Sequence, residues 1–93
     1  MTYKVFVSRT FQKKIYLYQK SIQNSLRKTL KELEKDPYKS RPNCDIKILK
    51  DTRPKKRRLR FGNYRIIYVV ENKEIKIIDL FKREAGYSRL ELL

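Results

Sequence analysis

The stretch "KKRRLRFGNYRIIYVV", residues 55–70, sets six cations among aromatic and β-branched residues. Guanidinium and ammonium groups bind phosphate oxygens and stabilise charge that develops on phosphorus. Where these groups point follows from strand alternation. In "KRRLRF" Lys56, Arg58 and Arg60 share one side and Leu59 and Phe61 the other. A two-residue turn at Gly62-Asn63 then sets Phe61 opposite Tyr64 and Arg60 opposite Arg65. Cross-strand partners share a face, so Leu59, Phe61, Tyr64, Ile66, Tyr68 and Val70 are expected to form a core face. Lys56, Arg58, Arg60 and Arg65 converge on the reverse face. Like charges set opposite one another destabilise a sheet, so this face either meets an anion or stays open to solvent, where screening weakens the penalty. Arg65 interrupts an otherwise apolar strand, which favours the anion.

The rest of the composition narrows the chemistry. The chain has 93 residues, with 25 Lys and Arg against 10 Asp and Glu, a formal net charge of +15. That imbalance calls for a polyanionic partner: nucleic acid, an acidic membrane surface or an acidic protein. Histidine is absent, and Cys44 is the single cysteine. With scattered carboxylates as well, no metal site and no cofactor is expected. No disulfide framework is possible, no apolar run approaches a membrane span and no signal-peptide pattern is visible, so the expected location is cytoplasmic.

These side chains need a frame to hold them. Residues 1–93 read as one domain. "TYKVFVS" (2–8) reads as a strand with Tyr3, Val5 and Val7 on one side. Ser8 is a candidate cap for a helix to about residue 19, with Phe11, Ile15 and Tyr18 at helical spacing. A second helix carries the stripe Ile22, Leu26, Leu30 and Leu33 and stops at "KDP". Residues 37–54 hold all three prolines and read as irregular, with a short extended piece at 45–50. Strands follow at about 55–61, 64–71 and 74–82, joined by tight turns at Gly62-Asn63 and Asn72-Lys73. The order β-α-α-β-β-β predicts an α+β fold: an N-terminal strand, a helical hairpin, then a three-stranded antiparallel meander completing a mainly antiparallel sheet. Counting through the second turn sets Tyr68 opposite Ile77 and Ile66 opposite Asp79. Strict parity then places Arg83 on the core side, so either the last strand ends near Phe81 or a bulge intervenes, and the first is the expectation. The tail "REAGYSRLELL" reads as a short terminal helix after Gly86.

The segment "RLRFGNYRIIYVVENKEIKIIDLFKREAGY" resembles the C-terminal half of RelE-type toxins of toxin–antitoxin pairs, and the N-terminal strand and helical hairpin fit the same pattern. The resemblance implies a RelE-like fold and a ribosome-dependent endoribonuclease that cleaves mRNA in the ribosomal A site. Its implied partners are the ribosome, mRNA and an acidic RelB-like antitoxin that wraps the toxin, as a two-plus-two heterotetramer. Carried over residue by residue, the catalytic set is Arg65, Arg83, Tyr87, Lys56 and Arg58. RNA contacts fall to Lys50, Lys55, Arg57 and Arg60. Arg58 stands where the best-studied members carry lysine; an arginine binds phosphate there but is poor at exchanging a proton.

A site of this kind has three tasks when a 2′-hydroxyl attacks the adjacent phosphate. The hydroxyl proton must leave, charge on phosphorus must be stabilised, and the departing 5′-oxygen must gain a proton. Arg65 and Arg83 are the expected phosphate clamps. Neighbouring cations disfavour a further positive charge, which suits Lys56 to proton exchange, and Arg83 favours the phenolate of Tyr87. Tyr87 or Lys56 would assist deprotonation, and Lys56 or Arg83 the leaving oxygen. Two alternatives stand beside this one: a non-catalytic ParE-like toxin that inhibits DNA gyrase, and a generic basic RNA-binding module.

Overall fold

The computed structural model describes residues 3–50 and 53–82. Five strands form one sheet in the order β1-β5-β4-β3-β2, with two helices on one face. The elements are β1 (Lys4–Val7), α1 (Arg9–Ile15), α2 (Lys20–Lys35), β2 (Ile46–Ile48), β3 (Arg57–Phe61), β4 (Tyr64–Glu71) and β5 (Glu74–Lys82). The α+β expectation holds: β2–β5 pair antiparallel, and β1 alone runs parallel, against β5. The extended piece expected at 45–50 is a fifth strand, narrower than read.

Local sequence explains most boundaries. Ser8 caps α1, its Oγ accepting the Phe11 amide at 3.0 Å. The helix ends at Ile15, earlier than the expected residue 19, and the Leu17 and Tyr18 amides close tighter turns onto the carbonyls of Lys14 and Ile15. That shortening leaves Tyr16 and Leu17 exposed while Tyr18 still packs on the core. α2 presents its stripe as expected, with Leu26 and Leu33 buried and Leu30 packed beside them. Its C-terminus is held by Arg41. That guanidinium donates to the carbonyls of Glu32 (2.6 Å), Asp36 (2.9 Å) and Lys39 (2.6 Å) and to the Glu32 carboxylate (3.2 Å). Carbonyls that the helix and the following turn leave unpaired are thereby satisfied.

Both hairpin turns fall where expected. Gly62 takes a φ of 56°, open to glycine at no steric cost. Asn72 and Lys73 both have positive φ (49° and 62°), the geometry of a primed turn whose twist suits flanking strands. The register β3–β4 is the expected one: Phe61 opposite Tyr64, Leu59 opposite Ile66 and Arg60 opposite Arg65. The expected core face is also found, since Leu59, Phe61, Tyr64, Ile66, Tyr68 and Val70 all pack with the helices. Burying each large apolar side chain there contributes about 1.5–3 kcal/mol. The Tyr68 hydroxyl, fully enclosed, donates to the Pro37 carbonyl at 2.7 Å and ties the connection after α2 to the sheet.

The last strand departs from strict alternation. Tyr68 lies opposite Ile77 as expected, but Ile66 faces Leu80 and Ile67 faces Asp79, because Ile78 is an extra residue opposite the Ile67/Tyr68 junction. The described strand runs to Lys82, within a residue of the expected end near Phe81, and the bulge offered as the alternative is also present and resets its parity. Ile75, Ile77 and Leu80 therefore all reach the helix side, with the spacing widening from two to three. The argument that parity forces Arg83 toward the core loses its premise. Arg83 itself, Tyr87 and the helix expected in the tail lie outside the described residues.

Candidate nucleic-acid interface

The site is built from the sheet face that turns away from the helices. Two rows of cross-strand partners define it. Lys47 on β2, Arg58 on β3, Ile67 on β4 and Asp79 on β5 form one. Arg60, Arg65 and Phe81 form the next, and the Arg60 amide donates to the Asp45 carbonyl at 2.9 Å, which sets Asp45 at the end of that row. Arg58, Arg60 and Arg65 are thus brought together by β3–β4 pairing, as the sequence implied.

The face is not open to solvent at its centre. Arg65 is 3% exposed, and Ile67, Val69 and Phe81 around it are also buried. Arg65 is the one buried charged side chain among the described residues. Its Nη1 donates to the Tyr64 carbonyl at 3.2 Å, while its Nε has no hydrogen-bond partner. The Nε atoms of Arg58 and of Arg57, which lies off this face, are unpartnered too. Arg41 shows how a structural arginine looks in this molecule, with its donors spent on four acceptors. Arg65 differs: it is buried, and among the described residues the acceptor it meets is the Tyr64 carbonyl.

Among the described residues, one carboxylate reaches the cluster. Asp45 Oδ1 lies 3.6 Å from Arg58 Nη2, and its Oδ2 lies 3.8 Å from Arg60 Nη1. Asp79, on the same face, is engaged elsewhere. It accepts from Lys14 at 2.6 Å, and that ammonium also donates to the Leu80 carbonyl and sits 4.7 Å from the Phe81 ring centre. β1 ends opposite Ile77, so α1 takes over along the remainder of β5 and Lys14 reaches its free carbonyl. Asp79 is structural, held by Lys14 and by the Leu80 amide.

The remaining expected contacts divide. Arg57 does not join the cluster. It alternates to the helix side, where its guanidinium lies 4.7 Å from the Tyr38 ring centre. Lys56 precedes β3 rather than lying within it, correcting the expected start at 55, and its carbonyl accepts the Leu49 amide at 2.9 Å. Lys56 is partly buried and Lys50 and Lys55 are exposed, all at the end where β2 and β3 meet. Sequence reasoning missed Lys47 and Asp45. Both sit in "CDIKI", whose alternation puts Asp45 and Lys47 on one side, but its pairing with β3 follows from a connection that carries no turn signal.

The described tyrosines with shifted phenols lie on the helix side, away from the arginine face. Burial pushes the Tyr18 phenol up, and so does Tyr64, whose ring centre is 5.1 Å away. Burial pushes the Tyr68 phenol up far more. Neither supplies a phenolate at neutral pH. What the described cluster can do is bind a phosphodiester through guanidinium groups and stabilise added charge on it.

The five-stranded sheet with an apolar helix side and arginines on its reverse side has its match among small toxins of toxin–antitoxin pairs. The match that names it covers residues 7–87 and is to the family described as "ParE toxin of type II toxin-antitoxin system, parDE". The archaeal RelE–RelB complex from Pyrococcus horikoshii OT3 contains a chain 31% identical to this one, covering 91% of this chain and 99% of that one, with a TM-score of 0.78. The RelB–RelE complex from Methanococcus jannaschii follows at 23% identity, 90% and 96% coverage and a TM-score of 0.69. The toxin–antitoxin complex RelBE2 from Mycobacterium tuberculosis shares the fold at 17% identity, 89% and 100% coverage and a TM-score of 0.74. No curated protein matches the chain. The chain belongs to the ParE toxin family of type II toxin–antitoxin systems, as a RelE-type member of the RelE/ParE superfamily.

Proposed function

We propose that this toxin is a metal-independent endoribonuclease that cleaves mRNA in the ribosomal A site and so stops translation. The observation that carries the reading is Arg65: a guanidinium 3% exposed, its Nε unpartnered, facing Arg60 across the strand pair. A buried guanidinium with an unpartnered Nε is costly to a protein that needs only its fold, so its presence there favours a function. A phosphodiester supplies the missing acceptors.

In the reaction a 2′-oxygen attacks the adjacent phosphorus, giving a 2′,3′-cyclic phosphate and a free 5′-hydroxyl. Arg58 and Arg60 meet the RNA backbone from the accessible side, and Arg65 behind them stabilises the charge that builds on phosphorus. Reaching Arg65 requires the reverse face to open locally, because its exposure is so low. Lys56 and Tyr87 are the proton-exchanging groups in this proposal, and Arg83 is the second clamp. Arginine is a poor proton carrier, so such a site depends on the ribosome to hold the substrate in line.

The partner in resting cells is an acidic RelB-like antitoxin in a two-plus-two complex. Relatives crystallised with RelB support a partner of that kind, and a net charge of +15 suits an acidic wrapping chain. The family match also keeps a second reading in play, a ParE-like toxin acting on DNA gyrase. Inducing the toxin and mapping RNA ends on a translated reporter separates the two. Cuts in phase with codons, present only when the message is translated, support the nuclease. DNA breaks with intact reporter RNA overturn it.

A further inference from the structure

Asp45 is the described acid that touches the arginine cluster, and the manner of contact is unusual. Each of its two carboxylate oxygens faces a different guanidinium, Oδ1 toward Arg58 at 3.6 Å and Oδ2 toward Arg60 at 3.8 Å. Two non-bridging oxygens of a phosphodiester would bridge the same pair in the same way. Both separations are long for an ion pair, and neither meets the geometry of a hydrogen bond. The Asp45 side chain is 45% exposed and that of Arg58 only 16%, so the carboxylate lies on the solvent side of the arginine it faces. It is nevertheless kept close, because the Asp45 carbonyl accepts the Arg60 amide in the sheet ladder at 2.9 Å. Arg58 keeps an unsatisfied Nε despite this neighbour.

We propose that Asp45 is a built-in competitor: its carboxylate occupies the place between Arg58 and Arg60 where one phosphate of single-stranded RNA binds, and RNA must displace it. The inference rests on the nucleic-acid reading of this face. Asp45 weakens the toxin's hold on free RNA and offsets the repulsion among the arginines while the site is empty. It acts on the substrate only through Arg58 and Arg60, so it is a positioning residue and not a catalytic one.

A loss of structure does not strengthen binding, so the test reads a gain. The purified full chain is titrated against a labelled short oligouridylate at low salt, as wild type, Asp45→Asn, Asp45→Ser and Glu74→Gln. Glu74→Gln removes the same charge at the β4–β5 turn, about 20 Å along the strand by residue rise and beyond a Debye length of about 10 Å at 0.1 M salt. Removing the competitor should tighten binding about three- to tenfold in both Asp45 variants and leave Glu74→Gln near wild type. Unchanged or weaker binding in folded Asp45 variants, or equal tightening in Glu74→Gln, overturns the proposal. The double variant R58A/R60A tells the two failures apart. If it binds as tightly as wild type, the nucleic-acid reading itself fails; if it binds weakly while Asp45→Asn changes nothing, only the competitor is lost.

Discussion

Arg65→Met separates what this residue does for folding from what it does for function. Methionine keeps the unbranched stem and fills a similar space, while the charge and the orphaned donor disappear. Relieving one buried unsatisfied polar group is worth about 1–3 kcal/mol. Removing the cross-strand repulsion with Arg60 adds about 0.2–1 kcal/mol. Against this stands one hydrogen bond to the Tyr64 carbonyl, long at 3.2 Å and worth about 0.5–1.5 kcal/mol. The balance favours the variant by about 1–2 kcal/mol. A domain of this size shifts its Tm by about 4–8 °C per kcal/mol, so the midpoint should rise by about 5–15 °C. Urea titration at neutral pH, with the slope checked for constancy, measures the same quantity isothermally. The variant should be more stable and inactive, the signature of a residue kept for function at the expense of the fold. Destabilisation by more than about 1 kcal/mol would refute the reasoning, because Arg65 would then be holding the sheet together.

Arg41→Ala should behave oppositely, losing about 2–3 kcal/mol by urea titration, since it strips partners from three carbonyls; Lys35→Ala, which removes only an exposed ion pair to Glu32, should cost under about 1 kcal/mol. Stability should fall at low pH. Hydrogen bonds from Lys35 and Arg41 lower the Glu32 carboxyl, and amides of Tyr38 and Lys39 lower that of Asp36. Both groups therefore stabilise the fold above their ordinary values of 4.5 and 3.8 and lose that contribution as pH drops through the depressed ones, which Tm against pH between neutrality and acid will register. At the alkaline end, burial raises the Tyr68 phenol above its ordinary 10.0, so its contribution is complete below that pH and is lost above it; Tyr68→Phe should flatten the alkaline decline.

Much of the frame was legible because period-two and helical patterns are local properties. The β3–β4 register followed from one glycine turn, and with it the meeting of Arg58, Arg60 and Arg65. The parity of Arg83 raised a bulge as an alternative, but its position at Ile78 was not legible, since an extra residue opposite Ile67 and Tyr68 is chosen by packing two apolar faces at once and leaves no mark in "IKIIDL". Nor was the burial of Arg65. Alternation told which way it points, whereas burial depends on what lies over the reverse face. Asp45 went unassigned for a related reason: β2 reaches β3 through a proline-containing connection whose length encodes no register. Arg57 shows that alternation, applied strictly, outranks membership of a charge run. Its parity with Leu59 already placed it on the wrong side for the cluster.

The central claim is that the arginines of the reverse face act on a phosphodiester of ribosome-bound mRNA. Single-turnover cleavage of a defined message on programmed ribosomes, wild type against Arg65→Met of verified stability, tests it most directly. Scission within the A-site codon by wild type, falling by about two or more orders of magnitude in the variant, is the predicted result. Arrest of translation with no scission by wild type, or scission by Arg65→Met at the wild-type rate, would contradict it.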